Sequence, residues 1–336
     1  MNMKNKTRLV LMIICIAVAI YSGARLISYI VEWNQAHRIN EENAALVAEQ
    51  AKETEIPRET GTPAPVETPQ TAAVPAVIAE TAEPVTDTPA PEAGTAAEDD
   101  PYDNTREPDE QQEVRTTPRS LVAMQNAHKE VLQKYRKLHL NNPDMVGYLK
   151  IPLLPRIDLA VVHRDNTYYL NHDFSGRKNS NGTLFLDESC SMDPRSDNLL
   201  VYGHNMRSGE MFGELHRLGS GSFLAGDPSV TFDTLYEEAT YFPFCIGIVS
   251  LDPEDEDYFN FTRIDFYGES DLDDFASQAK AVSTVRLGTD VRYGDELLTL
   301  VTCCDGSDSK RFIVMLRKMR ADETVESAKR SVFALD

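Results

Sequence analysis

Between Val146 and Met319 the chain reads as a succession of short apolar runs, each broken by Gly, Pro, Asn, Asp or Ser, and this pattern limits the fold more than any other feature. The runs are Val146–Ile151, Ile157–His163, Thr183–Asp187, Asn198–His204, Ser229–Leu235, Thr240–Leu251, Tyr258–Phe266, Glu296–Cys303 and Arg311–Met319. Most are too short for helices, and they are rich in β-branched and aromatic residues, so each is expected to be a strand. Helical spacing is expected at the start of the domain, where Leu121, Val122, Met124, Val131, Leu132, Tyr135 and Leu138 fall within Ser120–Leu140. A second helix is expected near Asp271–Thr284, with Leu272, Phe275 and Ala281 on one side, and a short turn around Met211–Leu218. Many short strands with few helices predict a mostly antiparallel barrel or sandwich. No GxGxxG, P-loop or internal repeat interrupts this reading.

The first thirty residues bear on location. Lys4, Lys6 and Arg8 precede a stretch that is apolar from Leu9 to Ile20 and more weakly so to Val31. These 23 residues are long enough to span a bilayer. Arg25 lies near the outer end, where it can snorkel, and Trp33 falls at an interface position. The basic flank predicts a cytoplasmic N-terminus (residues 1–8), a single-pass anchor (9–31) and an extracellular remainder. The competing expectation is a cleaved signal peptide, because Ser22-Gly23-Ala24 supplies small residues after a short apolar core.

From Glu41 to Thr117 there are ten prolines, and acids outnumber bases 19 to 4. That stretch carries about −15 of the formal net charge of −21. Too little apolar surface is present to offset chain entropy, so residues 32–119 are expected to be a disordered acidic spacer rich in Pro, Ala, Thr and Glu. One domain remains, residues 120–320, with a tail at 321–336. The acidic balance argues against nucleic acid as a partner. Five cysteines show no CxxC and no zinc-type spacing with histidine. Cys190 and Cys245 are read as separate thiols, with pairing the alternative.

Three reactive side chains stand at or beside strand ends. Leu297–Cys303 ends in Thr302-Cys303; Arg311 opens the following run; Asn198–His204 ends in Tyr202-Gly203-His204. Cysteine supplies a nucleophile, histidine a proton carrier and arginine a fixed cation for a developing oxyanion. The bland alternatives are a buried small hydrophobe for Cys303, a surface charge for Arg311 and a satisfied structural histidine for His204. Cys304 is read as a passive neighbour. The acidic run Asp252–Asp257 reads as a solvated loop, with a weak calcium site as the alternative. Taken together the three residues point to cysteine acyl transfer.

These segments resemble the sortases, membrane-anchored cysteine transpeptidases of Gram-positive surfaces, and most closely class B. Thr299–Cys303 fits the family's TLxTC strand, Arg311 its following arginine, and Tyr202-Gly203-His204-Asn205-Met206 its histidine segment. Flanking likeness extends through Asn142–Ile151, Asn166–Phe174, Gly182–Asp187 and Ser208–Leu215, so the resemblance spans Gln133 to Met319. It implies a closed sortase-type β-barrel of about eight strands with an N-terminal amphipathic helix and one or two further short helices. It also implies catalytic His204, Cys303 and Arg311, and a substrate groove lined by Asn166, Leu170, Tyr202, Val301 and Thr302. The implied partners are surface proteins bearing a C-terminal sorting signal of the Asn-Pro-x-Thr type and a peptidoglycan amine; one amide replaces another, so no cofactor or metal is implied. The spacer is longer than the family pattern, and Val301 and Cys304 stand where other members can carry polar residues. The rival expectations are a cysteine peptidase that releases its acyl group to water, a non-catalytic wall-binding module of the same fold, and a pilin-polymerising sortase.

Overall fold

The computed structural model describes residues 3–55, 130–304 and 307–334. Eight strands form a closed barrel: β1 Met145–Lys150, β2 Asp158–His163, β3 Leu184–Leu186, β4 Asn198–Tyr202, β5 Val230–Thr234, β6 Thr240–Ser250, β7 Leu297–Cys304 and β8 Ser307–Lys318. Their order around the barrel is β1-β2-β3-β4-β7-β8-β6-β5. Closure leaves no unpaired edge strand. Two of the pairings are parallel, β2 with β3 and β4 with β7. The second of these matters most, because parallel neighbours end at the same rim.

Both strands of that pair are buried on both faces. Leu199, Leu200, Val201, Leu297, Leu298 and Leu300 all lie in one core cluster with Ile313, Met315 and Leu316 of β8. This explains why β4 and the start of β7 read as continuous apolar runs and not as an alternation. Asn198 and Thr299 are polar exceptions within the core, and they satisfy one another: the Thr299 hydroxyl donates to Asn198 Oδ1 at 2.8 Å.

One of the nine expected strands is absent. Tyr258–Phe266 forms only an isolated bridge between Tyr258 and Ser250. Phe259, Phe261 and Phe266 are buried nonetheless, the first and last packing on Phe275. The Asn198 amide nitrogen donates to the Arg263 carbonyl at 2.9 Å, and the Asn198 backbone N–H to that of Ile264. Aromatic burial gave this segment a strand-like composition, but a side-chain amide takes the place of a ladder neighbour.

The helices are α1 Met3–Glu55, α2 Arg136–Asn141, the single turn α3 Gly221–Leu224, α4 Glu269–Val282 and α5 Val325–Ser331. In α4 the buried face is Leu272, Phe275, Ala276 and Ala279, with Ala281 exposed. Within the described part of the expected opening helix, residues 130–132 are not helical. A 3₁₀ turn at Gln133–Tyr135 precedes α2, and residues 120–129 lie outside the described residues. In the tail, α5 starts with a capping box between Thr324 and Ser327 and buries Ala328 and Val332 in the core cluster.

Helix α1 runs past Val31 to Glu55, so residues 32–55 are helical where a spacer is expected; residues 56–119 lie outside the described residues. The reason is local. No proline occurs until Pro57, and Ala36, Ile39, Leu46, Val47 and Gln50 repeat at helical spacing. Ala36, Ile39 and Gln50 are buried, and Ile39 joins a second core cluster with Tyr135, Tyr148, Val162, Tyr169 and Phe185. From Ile14 to Val31 the apolar side chains are exposed, Ile20 at 68% and Ile27 at 65%. By length and composition this part of α1 is a candidate membrane span. The two sides of the 56–129 stretch meet: Gln50 Nε2 donates to the Gln133 carbonyl at 3.0 Å.

Candidate active site

The register of three strands brings the reactive residues to one rim. Tyr202 of β4 pairs with Val301 of β7, and Cys303 of β7 pairs directly with Arg311 of β8. Beyond Tyr202 the chain stays stitched to β7. The Gly203 N–H donates to the Val301 carbonyl at 3.2 Å, the Thr302 hydroxyl to the Gly203 carbonyl at 2.7 Å, and Asn205 Nδ2 to the Cys303 carbonyl at 3.0 Å. His204 therefore stands between two residues bonded to β7. Glycine is required at 203, where a Cβ would lie 2.4 Å from Leu184 Cδ2 and 2.7 Å from Phe212 Cδ2.

The ladder shifts register between Cys303 and Cys304, and Cys303 is exposed while Val301 and Thr302 are buried. A bulge at this point re-aims the side chain at the end of an otherwise buried strand. The buried cysteines differ in kind. Cys190 and Cys245 are free thiols, so they do not pair, and burial pushes each up to about 12. Neither holds thiolate near neutral pH, and thiolate is the nucleophilic form.

His204 Nε2 lies 2.7 Å from the Leu170 carbonyl oxygen. A carbonyl only accepts, so Nε2 carries the hydrogen in this contact and Nδ1 is left for other work. Arg311 Nη1 donates to the carbonyls of Asp308 at 2.8 Å and Lys310 at 3.1 Å, which lays the guanidinium along its own hairpin. Next to it Lys310 Nζ reaches Asp257 at 2.6 Å, and that hydrogen bond holds the exposed Asp257 carboxyl below its ordinary range. The acidic run thus serves partly as a brace for the hairpin; Asp255 accepts from the Ser250 hydroxyl at 2.7 Å.

A sortase domain family model matches residues 149–319, just over half of the chain and all eight strands but the first four residues of β1. The chain belongs to the sortase family. Within it the likeness is to class B. Sortase B of Listeria monocytogenes is 28% identical over 191 residues, 56% of this chain and 75% of that protein. Sortase B of Staphylococcus aureus is 26% identical over 199 residues, 59% and 79% of the two chains. A crystal structure of Staphylococcus aureus sortase B superposes with a TM-score of 0.51 at 25% identity, covering 60% of this chain and 93% of that one. This is a class B sortase, a transpeptidase on a closed eight-stranded barrel with a long apolar N-terminal helix and a few short helices.

The sortase places its expected groove residues unequally. Leu170 is exposed, at the end of the 3₁₀ turn Tyr168–Leu170. Asn166 is half-buried; its Oδ1 accepts from the Glu188 N–H at 2.9 Å and ties two rim loops together. Tyr202 is half-buried against Phe185, their ring centroids 5.5 Å apart. Val301 and Thr302 are covered, at 1% and 3% exposure, Val301 in the core and Thr302 bonded to Gly203. Two participants were not assigned a role from sequence: Asn205, and the backbone carbonyl of Leu170. Asn205 was legible as part of the histidine segment, but a main-chain acceptor leaves no trace in residue identity.

Proposed function

We propose that this sortase cleaves a C-terminal sorting signal of surface proteins at threonine through a thioacyl-enzyme on Cys303, and transfers the acyl group to a peptidoglycan amine. The observation that supports it is the register: Cys303 opposite Arg311, with His204 held to the same strand by its two neighbours. The thiolate attacks the threonine carbonyl. Negative charge develops on that oxygen beside the Arg311 guanidinium, a donor whose charge does not depend on pH. With Nε2–H engaged by Leu170, Nδ1 of His204 carries the proton that leaves with the amine as the C–N bond breaks. An acceptor amine then attacks the thioester, gives up its proton to His204, and expels the Cys303 thiolate as the new amide forms. One amide replaces another, so the cycle balances without any further reagent.

The sorting signal is taken to be of the Asn-Pro-x-Thr type, with Asn166, Leu170 and Tyr202 as groove-lining residues and Val301 and Thr302 acting from beneath. Residues 9–31 are taken to cross the membrane with the basic N-terminus inside and the catalytic domain outside. The test is incubation of the full chain with a quenched Asn-Pro-Gln-Thr peptide, with and without an amine acceptor, beside Cys303→Ala. Cleavage at threonine that requires Cys303, with an amide product when amine is added, supports the reading. Cleavage indifferent to amine makes the enzyme a peptidase, and transfer retained in Cys303→Ala overturns the assignment.

A further inference from the structure

Helix α1 touches both loops that hold His204. On one side Glu32 accepts from the Ser180 N–H at 3.2 Å and from the Ser180 hydroxyl, and its carbonyl accepts from Asn179 Nδ2 at 3.1 Å. Those two residues lie in a loop packed on the 3₁₀ turn that presents Leu170. The Asn179 N–H donates to the Asn171 carbonyl at 2.8 Å and the Thr183 N–H to that of Tyr169 at 3.0 Å. Gly182 adopts φ +63°, and a Cβ there would lie 2.5 Å from the Tyr169 carbonyl and 3.0 Å from that of Leu170. The Leu170 carbonyl in turn accepts from His204.

On the other side is the loop that follows His204. Its Glu210 side chain is 3% exposed, and the carboxylate is met by His37 Nδ1 at 3.0 Å and Asn40 Nδ2 at 3.5 Å, both on α1. A carboxylate buried to that degree is costly without its donors. The same loop folds back on the histidine: Phe212 N–H donates to the His204 carbonyl at 3.0 Å and Gly213 N–H to that of Glu210 at 2.9 Å.

We propose that Glu32 and His37, within two helical turns of Val31 at the end of the apolar stretch, are positioning residues for His204, so that docking of α1 on the domain sets the competence of the site. The juxtamembrane helix is then a working part of the enzyme: it clamps the acceptor of the His204 Nε2–H from one side and the His204 loop from the other. This rests on the transpeptidase reading above, with Cys303 as nucleophile and His204 as proton carrier.

The test uses the full chain in lipid nanodiscs and compares wild type with E32A, H37A and E32A/H37A, and with E32Q/H37Q, which retains an acceptor for Ser180 and a donor for Glu210. Two readouts are taken: alkylation of Cys303 by iodoacetamide, followed on its own peptide by mass spectrometry, and kcat and KM for the quenched peptide. We expect E32A/H37A to alkylate about three-fold more slowly and to lose about ten-fold in kcat with KM little changed, because a misplaced proton carrier affects the chemical step. E32Q/H37Q should recover most of both, and the two single variants should fall between. Alkylation in E32A/H37A equal to or faster than wild type would overturn the proposal. Should the wild type alkylate at Cys303 yet leave the peptide intact, the substrate reading fails while the alkylation ratio still decides the brace.

Discussion

His204 Nε2 and the Leu170 carbonyl oxygen are 2.7 Å apart across thirty-four residues of chain, and this contact ties the histidine to the 3₁₀ turn at the edge of the expected groove. A ligand that displaces the exposed Leu170 side chain acts on the backbone that holds the histidine. On the proposed mechanism, substrate seating and proton transfer are mechanically linked.

The Asn205–Cys303 contact carries the first prediction. Asn205→Ala removes the 3.0 Å bond from Nδ2 to the Cys303 carbonyl but leaves the barrel ladder in place. One such bond is worth about 1 kcal/mol net, so kcat/KM should fall by roughly five- to ten-fold. Steady-state kinetics with the quenched peptide, alongside a thermal melt that stays near the wild-type midpoint, checks this.

Arg311 offers a sharper test, because charge and shape separate. Arg311→Ala should lower kcat by about 10²–10³-fold, the range for loss of one oxyanion donor. Arg311→Lys keeps the cation but loses the planar guanidinium, whose Nη1 donates to both the Asp308 and Lys310 carbonyls, and should recover only part of that loss. A lysine variant with wild-type kcat would show that charge alone suffices.

In the core, Leu200 is fully buried on the strand that delivers His204. Leu200→Ala should cost about 2–5 kcal/mol. The thermal midpoint should drop by several degrees, at roughly 2–4 °C per kcal/mol for a domain of this size. Differential scanning calorimetry reads this directly.

Acid sensitivity has a named source at the opposite end of β8. Arg317 is fully buried and donates to both oxygens of Glu323, at 2.6 and 2.8 Å, which holds the Glu323 carboxyl below its ordinary value near 4.5. Because the folded pKa is the lower one, this pair contributes stability that is fully present above that ordinary value and is lost as pH falls through the folded pKa. Denaturant midpoints should therefore decline below about pH 4.5 in the wild type. Glu323→Gln should start lower and show a shallower acid decline, with Asp290, Asp271 and Asp227 (also held low) supplying what remains.

The positions of the cysteine, the arginine and the histidine beside buried runs were legible from sequence, because burial of β4 and β7 on both faces writes itself into composition. The same runs predicted a barrel or a sandwich, and the closed barrel followed from the resemblance to the sortases. Tyr258–Phe266 misled for the converse reason: three buried phenylalanines imitate a strand, and composition does not say whether a side-chain amide or a neighbouring backbone satisfies the carbonyls. Residues 32–55 misled because acidic, alanine-rich sequence suits both an exposed helix and a solvated spacer, and only the partner surface distinguishes them.

What the sequence by itself determined was the succession of short buried strands, the apolar N-terminal stretch, and which chemically active side chains flank buried runs. β8 starts at Ser307, so Arg311 lies inside that strand and not at its start. Tertiary structure decided the rest. The parallel pairing of β4 with β7 sets His204 beside Cys303 across about a hundred residues of chain, and the hairpin register sets Arg311 opposite. The docking of α1 supplies donors to the buried Glu210 and an acceptor to Ser180. These are long-range contacts, and they depend on backbone groups and on surfaces that come together only when the barrel closes, so no local pattern of residues encodes them.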